Sequence, residues 1–306
     1  MTLTENNSVN EFPIITPPST SPRRRRRAKV RRSERRPGPW TYILILALSA
    51  FFIGPFIWLV LAALKTPAEW ASLPVKILPE QAQWENFAAA LNDANFFGYA
   101  GNSLFLATTY SILITLSSAA VGFGFARLRA PGKKALFLIV LATMMIPQIL
   151  TLLPTYILFS RIGLINTYWP WVLWGLAASP YMVFLFRQYF SSLPKELEDA
   201  AIIDGAGWFR IFATIFLPLS RPILITSFLL SFTWTWGDYI APALLLNLDN
   251  TTLAVAITAF YQDPNGNTIP TVQAAAGVMY IIPVLLIFFF MQRYFIQSNV
   301  SSGIKG

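Results

Sequence analysis

The chain predicts an all-α integral membrane protein with six transmembrane helices and both termini in the cytoplasm, and three observations carry that class. Its 306 residues are 55% hydrophobic and 12% charged, with a mean hydropathy of +0.53, where soluble domains carry about 25% charged residues. The apolar residues fall in six long stretches nearly free of Asp, Glu, Lys and Arg, five of them uninterrupted and longer than the roughly 20 residues that cross a hydrocarbon core. The basic residues between those stretches alternate in density, as the positive-inside rule requires.

Taken in order, the spans are expected at residues 42–64, 103–126, 135–159, 169–189, 223–245 and 272–291. The fifth is the least regular, because Asp238 interrupts its uncharged run. With six spans, the segments on the side of the termini hold 20 of the 23 Lys and Arg. Adding or omitting a span destroys that asymmetry. Residues 1–39 read as a disordered basic cytoplasmic arm, since residues 23–36 carry ten of the basic residues and residues 2–21 lack the apolar core of a signal peptide. The net charge of +9 is therefore mostly local. It suits anionic lipid headgroups in the bilayer, and no nucleic-acid partner is expected because the arm has no aromatic platform.

The chain contains no Cys and no His, which removes disulfide frameworks, Cys/His metal sites and imidazole catalysis. No catalytic residue, metal ligand or bound cofactor is expected, and a membrane-embedded enzyme has nothing to build from. Pro131-Gly132-Lys133-Lys134 lacks the upstream Gly and following Ser/Thr of a phosphate loop, so any ATP and Mg must be used by another chain. Asp238 is the exceptional acid within the spans; beside Trp234, Trp236 and Tyr239 it reads as an interfacial carboxylate or a helix-packing acceptor. Ser117, Ser118, Thr143, Gln148 and Thr151 are expected to pack helices together rather than line a path. Pro147 and Pro154 are expected to kink span three.

The loop at residues 191–221 differs from the other basic loops: with Arg187, it balances four basic residues against Glu196, Glu198, Asp199 and Asp204. That balance suits a protein partner. Ser192 is placed to cap a helix beginning near Pro194, and Asp204-Gly205 to stop it. Trp208, Phe212, Ile215, Phe216 and Leu219 then recur on one face of a second, interfacial helix.

Asp199-Ala200-Ala201, Gly205, Ile215, Leu217 and Pro218 resemble the EAA loop of binding-protein-dependent ABC importer permeases. The longer string Leu193-Pro194-Lys195-Glu196-Leu197-Glu198-Asp199-Ala200-Ala201 with Asp204-Gly205-Ala206 is similar to the carbohydrate, maltose-type (MalG-like) branch. Ala126-Arg127-Leu128, Ile146-Pro147 and Gln292-Arg293-Tyr294-Phe295 extend the likeness over residues 40–306. Asp199 stands where relatives usually carry Glu, and Gly237 where they carry Asn. The resemblance implies an inner-membrane subunit of a sugar importer. It would work with a second, MalF-like permease, an ABC ATPase dimer and an extracytoplasmic solute-binding protein, and Glu198, Asp199, Ala200, Ala201, Asp204, Gly205 and Ala206 would form the coupling helix that docks on the ATPase. It assigns no substrate-binding residue. The reading from another class is a stand-alone secondary carrier or channel, disfavoured by the scarcity of intramembrane charge.

Overall fold

The computed structural model describes residues 38–302, with side chains to 290; the arm expected at residues 1–39 lies almost wholly outside that range. The chain divides into two units, Met1–Ser49 and Ala50–Gly306, and of the first only the opening of one helix is described. Among the described residues the structure is helical, with one isolated bridge between Gln262 and Thr268. In order the helices are α1 (Pro39–Ala63), α2 (Pro67–Trp70), α3 (Glu85–Asn92), α4 (Phe96–Arg127), α5 (Lys133–Thr143), α6 (Gln148–Arg161), α7 (Trp169–Leu176) and α8 (Pro180–Ser192). They continue with α9 (Glu196–Ile203), α10 (Trp208–Ile211), a π-helical turn (Phe212–Phe216), α11 (Leu217–Leu219), α12 (Arg221–Trp236), α13 (Ile240–Leu245), α14 (Leu253–Ala259) and α15 (Pro270–Ser302).

Among the described residues four segments are long and apolar enough to cross a membrane: α1, α4, α7 with α8, and the first part of α15. Two further pairs qualify only as bent spans or re-entrant loops. They are α5 with α6, bent by 94°, and the Trp208–Leu219 segment with α12, bent by 81°. The simple kink expected in span three is thus corrected to a full break over residues 144–147. Pro147 enters α6 as its cap at φ −60° and ψ 128°, extended geometry that stops the preceding helix. Pro154 sits inside α6 without ending it. Span five is also divided, into α12 and α13 around Gly237-Asp238-Tyr239.

The 32-residue α4, about 48 Å long at 1.5 Å per residue, is the post around which the second unit packs. Its first half meets α3, α12, α14 and α15 in a cluster with Phe96, Tyr99, Phe232, Trp236 and Tyr261 at its centre. Its middle packs with α6, α7 and α13 around Leu106, Phe159, Trp171 and Leu245. Its last third holds α8 and the π-helical turn around Phe123, Phe186, Phe190, Ile211 and Phe216.

Two polar side chains of span two serve packing, as expected of them: Ser117 Oγ donates to Gly175 O (2.7 Å), and Ser118 Oγ accepts from the Ser179 amide (2.9 Å). Hydroxyls facing another backbone replace water that a bilayer does not supply. Small residues set the spacing. A Cβ on Gly122 would lie 2.6 Å from Phe186 Cβ, 3.1 Å from the Arg187 amide and 3.2 Å from Val183 O, so the backbone of α8 has no room to accept one. Gly122→Leu is expected to cost about 1–3 kcal/mol through overpacking and to lower the thermal midpoint of the detergent-extracted chain, while Gly101→Ala, which meets nothing within 4 Å, leaves it in place.

Candidate functional site: the exposed α9 and its arginine clamp

The α8–α9 junction differs from the sequence expectation. Ser192 is the last residue of α8, and its hydroxyl donates back to Tyr189 O (2.7 Å), so it caps nothing in α9. That short in-helix bond competes with an outward cap. Helix α9 consequently starts at Glu196, two residues past Pro194, and its N-cap Lys195 makes no side-chain bond. Glu196, Glu198 and Asp199 occupy its first turn, where carboxylates favour the positive end of the helix dipole.

Its other end is fixed by backbone geometry. Gly205 has φ +76°, its amide donates to Ile202 O (3.0 Å), and the Ala206 amide donates to Ala201 O (2.9 Å). These two bonds form a Schellman stop, which needs a left-handed residue at the position of Gly205. Asp204-Gly205 therefore ends the helix as the sequence indicates.

The seven candidate residues divide between two faces. Asp199, Ala200, Asp204 and Gly205 are exposed. Ala201 and Ala206 are half-buried against the Phe123–Phe190–Phe216 cluster. Glu198 turns inward, its side chain 12% exposed, toward the 4%-exposed Arg127 side chain (Nη1–Oε2 3.4 Å). Beside the outward residues stand Ile202, Ile203 and Phe209, the last two over 80% exposed. The outer face of α9 and the following turn thus combine small residues, two carboxylates and bare apolar side chains.

Arg127 was not among the residues singled out as a site, because at the end of a span it reads as one more topogenic charge. In the structure its Nη2 donates to Phe190 O and Leu193 O, both at 2.6 Å, and its guanidinium lies over the Phe216 ring (5.0 Å). One side chain at the C-terminus of α4 thereby ties together the end of α8, the start of α9 through Glu198, and the π-helical turn. The forked, permanently charged guanidinium makes this possible, and Lys cannot reproduce it. The only sequence signal was an Arg directly preceding Leu128 at the end of an otherwise uncharged helix.

The second helix also differs from a regular amphipathic one. Residues 212–216 form a π turn, with the Leu217 amide donating to Phe212 O. The wider turn brings Ile211 and Phe216, five residues apart and both 0% exposed, to the same inner face. Asp238, the other candidate, is a helix cap: its Oδ1 accepts from the Ile240 amide (3.0 Å) and the Ala241 amide (3.2 Å).

Arg127→Gln leaves two carbonyls and Glu198 without their cation, and removing one member of a buried pair costs about 3–5 kcal/mol. The expected outcome is a chain that still inserts but whose Ser192–Gly207 segment is cut faster by protease in membranes opened to it on both sides. Glu198→Gln, which keeps both carbonyl bonds, is expected to be cut at a rate nearer that of the unaltered chain.

Residues 117–299 match the family described as "Binding-protein-dependent transport system inner membrane component". The arabinooligosaccharides transport system permease protein AraQ of Halalkalibacterium halodurans is 33% identical over 87% of this chain and 96% of its own length. The diacetylchitobiose uptake system permease protein NgcG of Streptomyces coelicolor is 31% identical over 89% and 90%. The melibiose/raffinose/stachyose import permease protein MelC of Bacillus subtilis is 32% identical over 87% and 96%. A bacterial ABC transporter involved in the import of the acidic polysaccharide alginate shares the fold, with a TM-score of 0.70 and 22% identity over 84% of this chain and 95% of that one. The chain belongs to the inner membrane components of binding-protein-dependent transport systems.

Proposed function

We propose that this chain is a transmembrane subunit of an ATP-driven carbohydrate importer in the inner (plasma) membrane and that α9 is the coupling helix through which an ABC ATPase dimer moves it. The observation that carries the reading is the exposed outer face of α9, braced from behind by Arg127 and stopped by Gly205. A helix that transmits force needs a partner face free and a rigid root, and α9 has both. The balance of acidic and basic residues around it fits a protein surface rather than lipid. The charge asymmetry along the chain supports six spans, with each bent pair counted once, and cytoplasmic termini. On this reading the chain performs no covalent step: ATP and Mg act on the ATPase, a second permease of the same family supplies the other half of the pathway, and an extracytoplasmic binding protein delivers the sugar. The permeases it resembles are named for oligosaccharides of differing sugars, which supports carbohydrate as the substrate class.

A cavity of about 620 Å³ lies where the two broken spans meet, lined by Gln148, Thr233, Trp234, Gly237, Asp238 and Tyr239 among others. That volume falls within the usual range for ligand sites. Irregular backbone is tolerated at membrane depth where it lines such a space. Asp238 Oδ1 is committed to the α13 cap, which leaves Oδ2 for a hydroxyl, and the exposed ring of Trp234 suits the apolar face of a sugar. We assign this cavity to the solute's path.

A Cβ on Gly205 meets nothing within 4 Å, so a larger side chain there strains the φ +76° turn and obstructs the outer face without clashing internally. Gly205→Val is expected to abolish uptake of the transported oligosaccharide by intact cells with the amount of chain in the membrane unchanged; normal uptake removes the coupling assignment. Trp234→Ala is expected to reduce uptake about tenfold, the equivalent of ~1.4 kcal/mol of contact, with ATPase binding intact.

A further inference from the structure

A second, smaller cavity of about 290 Å³ lies at the same end of the chain as α9, lined by Phe125, Lys133, Lys134, Phe137, Leu138 and Arg187. It has three cations and no acid. Among the described residues the two ion pairs are Lys76–Glu80 and Arg127–Glu198, so none of the three cations here is neutralised by a carboxylate. The Arg187 guanidinium lies over the Phe137 ring (4.1 Å), and Lys133 Nζ donates to Leu128 O (2.6 Å), so two of the charges have positioning contacts. The cavity opens beside the first turn of α5, whose helix dipole adds positive potential. Farther along the same helix Leu136, Leu138 and Ile139 are all more than half exposed.

We propose that this cavity binds one anionic phospholipid, with the phosphodiester against Lys133, Lys134 and Arg187 and an acyl chain along the exposed side of α5. Basic pockets beside membrane helices select anionic headgroups through that charge complement, and a bare inorganic anion leaves the apolar side chains of α5 uncovered. The site adjoins α8, whose Arg187 lines it and whose Phe190 carbonyl Arg127 grips, so the lipid sits against the root of the α9 assembly. The inference depends on the chain lying in a bilayer and is independent of what the chain transports.

The test is native mass spectrometry of the full chain, purified with its partners in detergent and titrated with palmitoyl-oleoyl phosphatidylglycerol or, separately, phosphatidylcholine. The expected result is one phosphatidylglycerol retained per chain at a concentration at least about tenfold lower than for phosphatidylcholine, equivalent to ~1.4 kcal/mol. That preference should be lost in Lys134→Gln/Arg187→Gln and reduced in Lys134→Gln alone. The single variant alters an exposed side chain and guards against misfolding of the double. Equal retention of the two lipids, or a preference unchanged in both variants, overturns the proposal. Displacement of phosphatidylglycerol by millimolar inorganic phosphate also overturns it, by assigning the site to the free anion.

Discussion

Everything proposed for α9 depends on one buried guanidinium. Arg127 is 9% exposed, and a charge withdrawn from water that far must be compensated inside the protein. Phe190 O and Leu193 O accept from Nη2, Glu198 Oε2 lies 3.4 Å from Nη1 and the Phe216 ring lies 5.0 Å from the guanidinium, while Nε has no hydrogen-bond partner. The consequence is structural: the C-terminus of the longest fully described helix, the exit of α8, the inner face of α9 and the π-helical turn all meet at one side chain. A short helix of eight residues has little stability of its own in water. Its persistence in this position is a property of the clamp and of the aromatic cluster beneath it.

The rest of the architecture follows from the solvent. In a bilayer the backbone has no water to bond, so a chain keeps its helices intact wherever it faces lipid. Two of the breaks, between α5 and α6 and between α12 and α13, border a cavity, and Asp238 satisfies two of the amides freed by the second. Close approach at Gly122 and Gly175 replaces the hydrophobic driving force that lipid removes. Each of the two glycines brings a different helix against α4, which explains how one post can carry both.

The helical class and four of the apolar spans were legible because they depend on uncharged length, which is a one-dimensional property, whereas spans three and five are broken in ways that length does not register. The Asp204-Gly205 stop was legible for the same reason: a left-handed turn is a local requirement, and Gly meets it at little cost. What the sequence did not reveal depends on three dimensions. Pro147 signalled a kink, but the size of the bend reflects what packs on either side of it. Ser192 has the chemistry of a cap and spends its hydroxyl on Tyr189 instead. Glu198 and Ala201 are close neighbours of Asp199 and Ala200 in sequence and in the family motif, yet the first pair faces the core and the second pair faces outward. The role of Arg127 was not legible, because its hydrogen-bond and ion-pair partners are 63 to 71 positions away.

The most direct test of this account uses the absence of cysteine from the chain. Ala200→Cys places a single thiol on the outer face of α9, and a short bifunctional maleimide–amine reagent applied to native membranes, followed by peptide mass spectrometry, identifies what lies beside it. The account predicts an adduct with an ATP-binding chain, lost when Arg127→Gln is added. Adducts confined to lipid or to this chain, or an adduct unaffected by Arg127→Gln, would contradict the claim that a clamped α9 is the point of coupling.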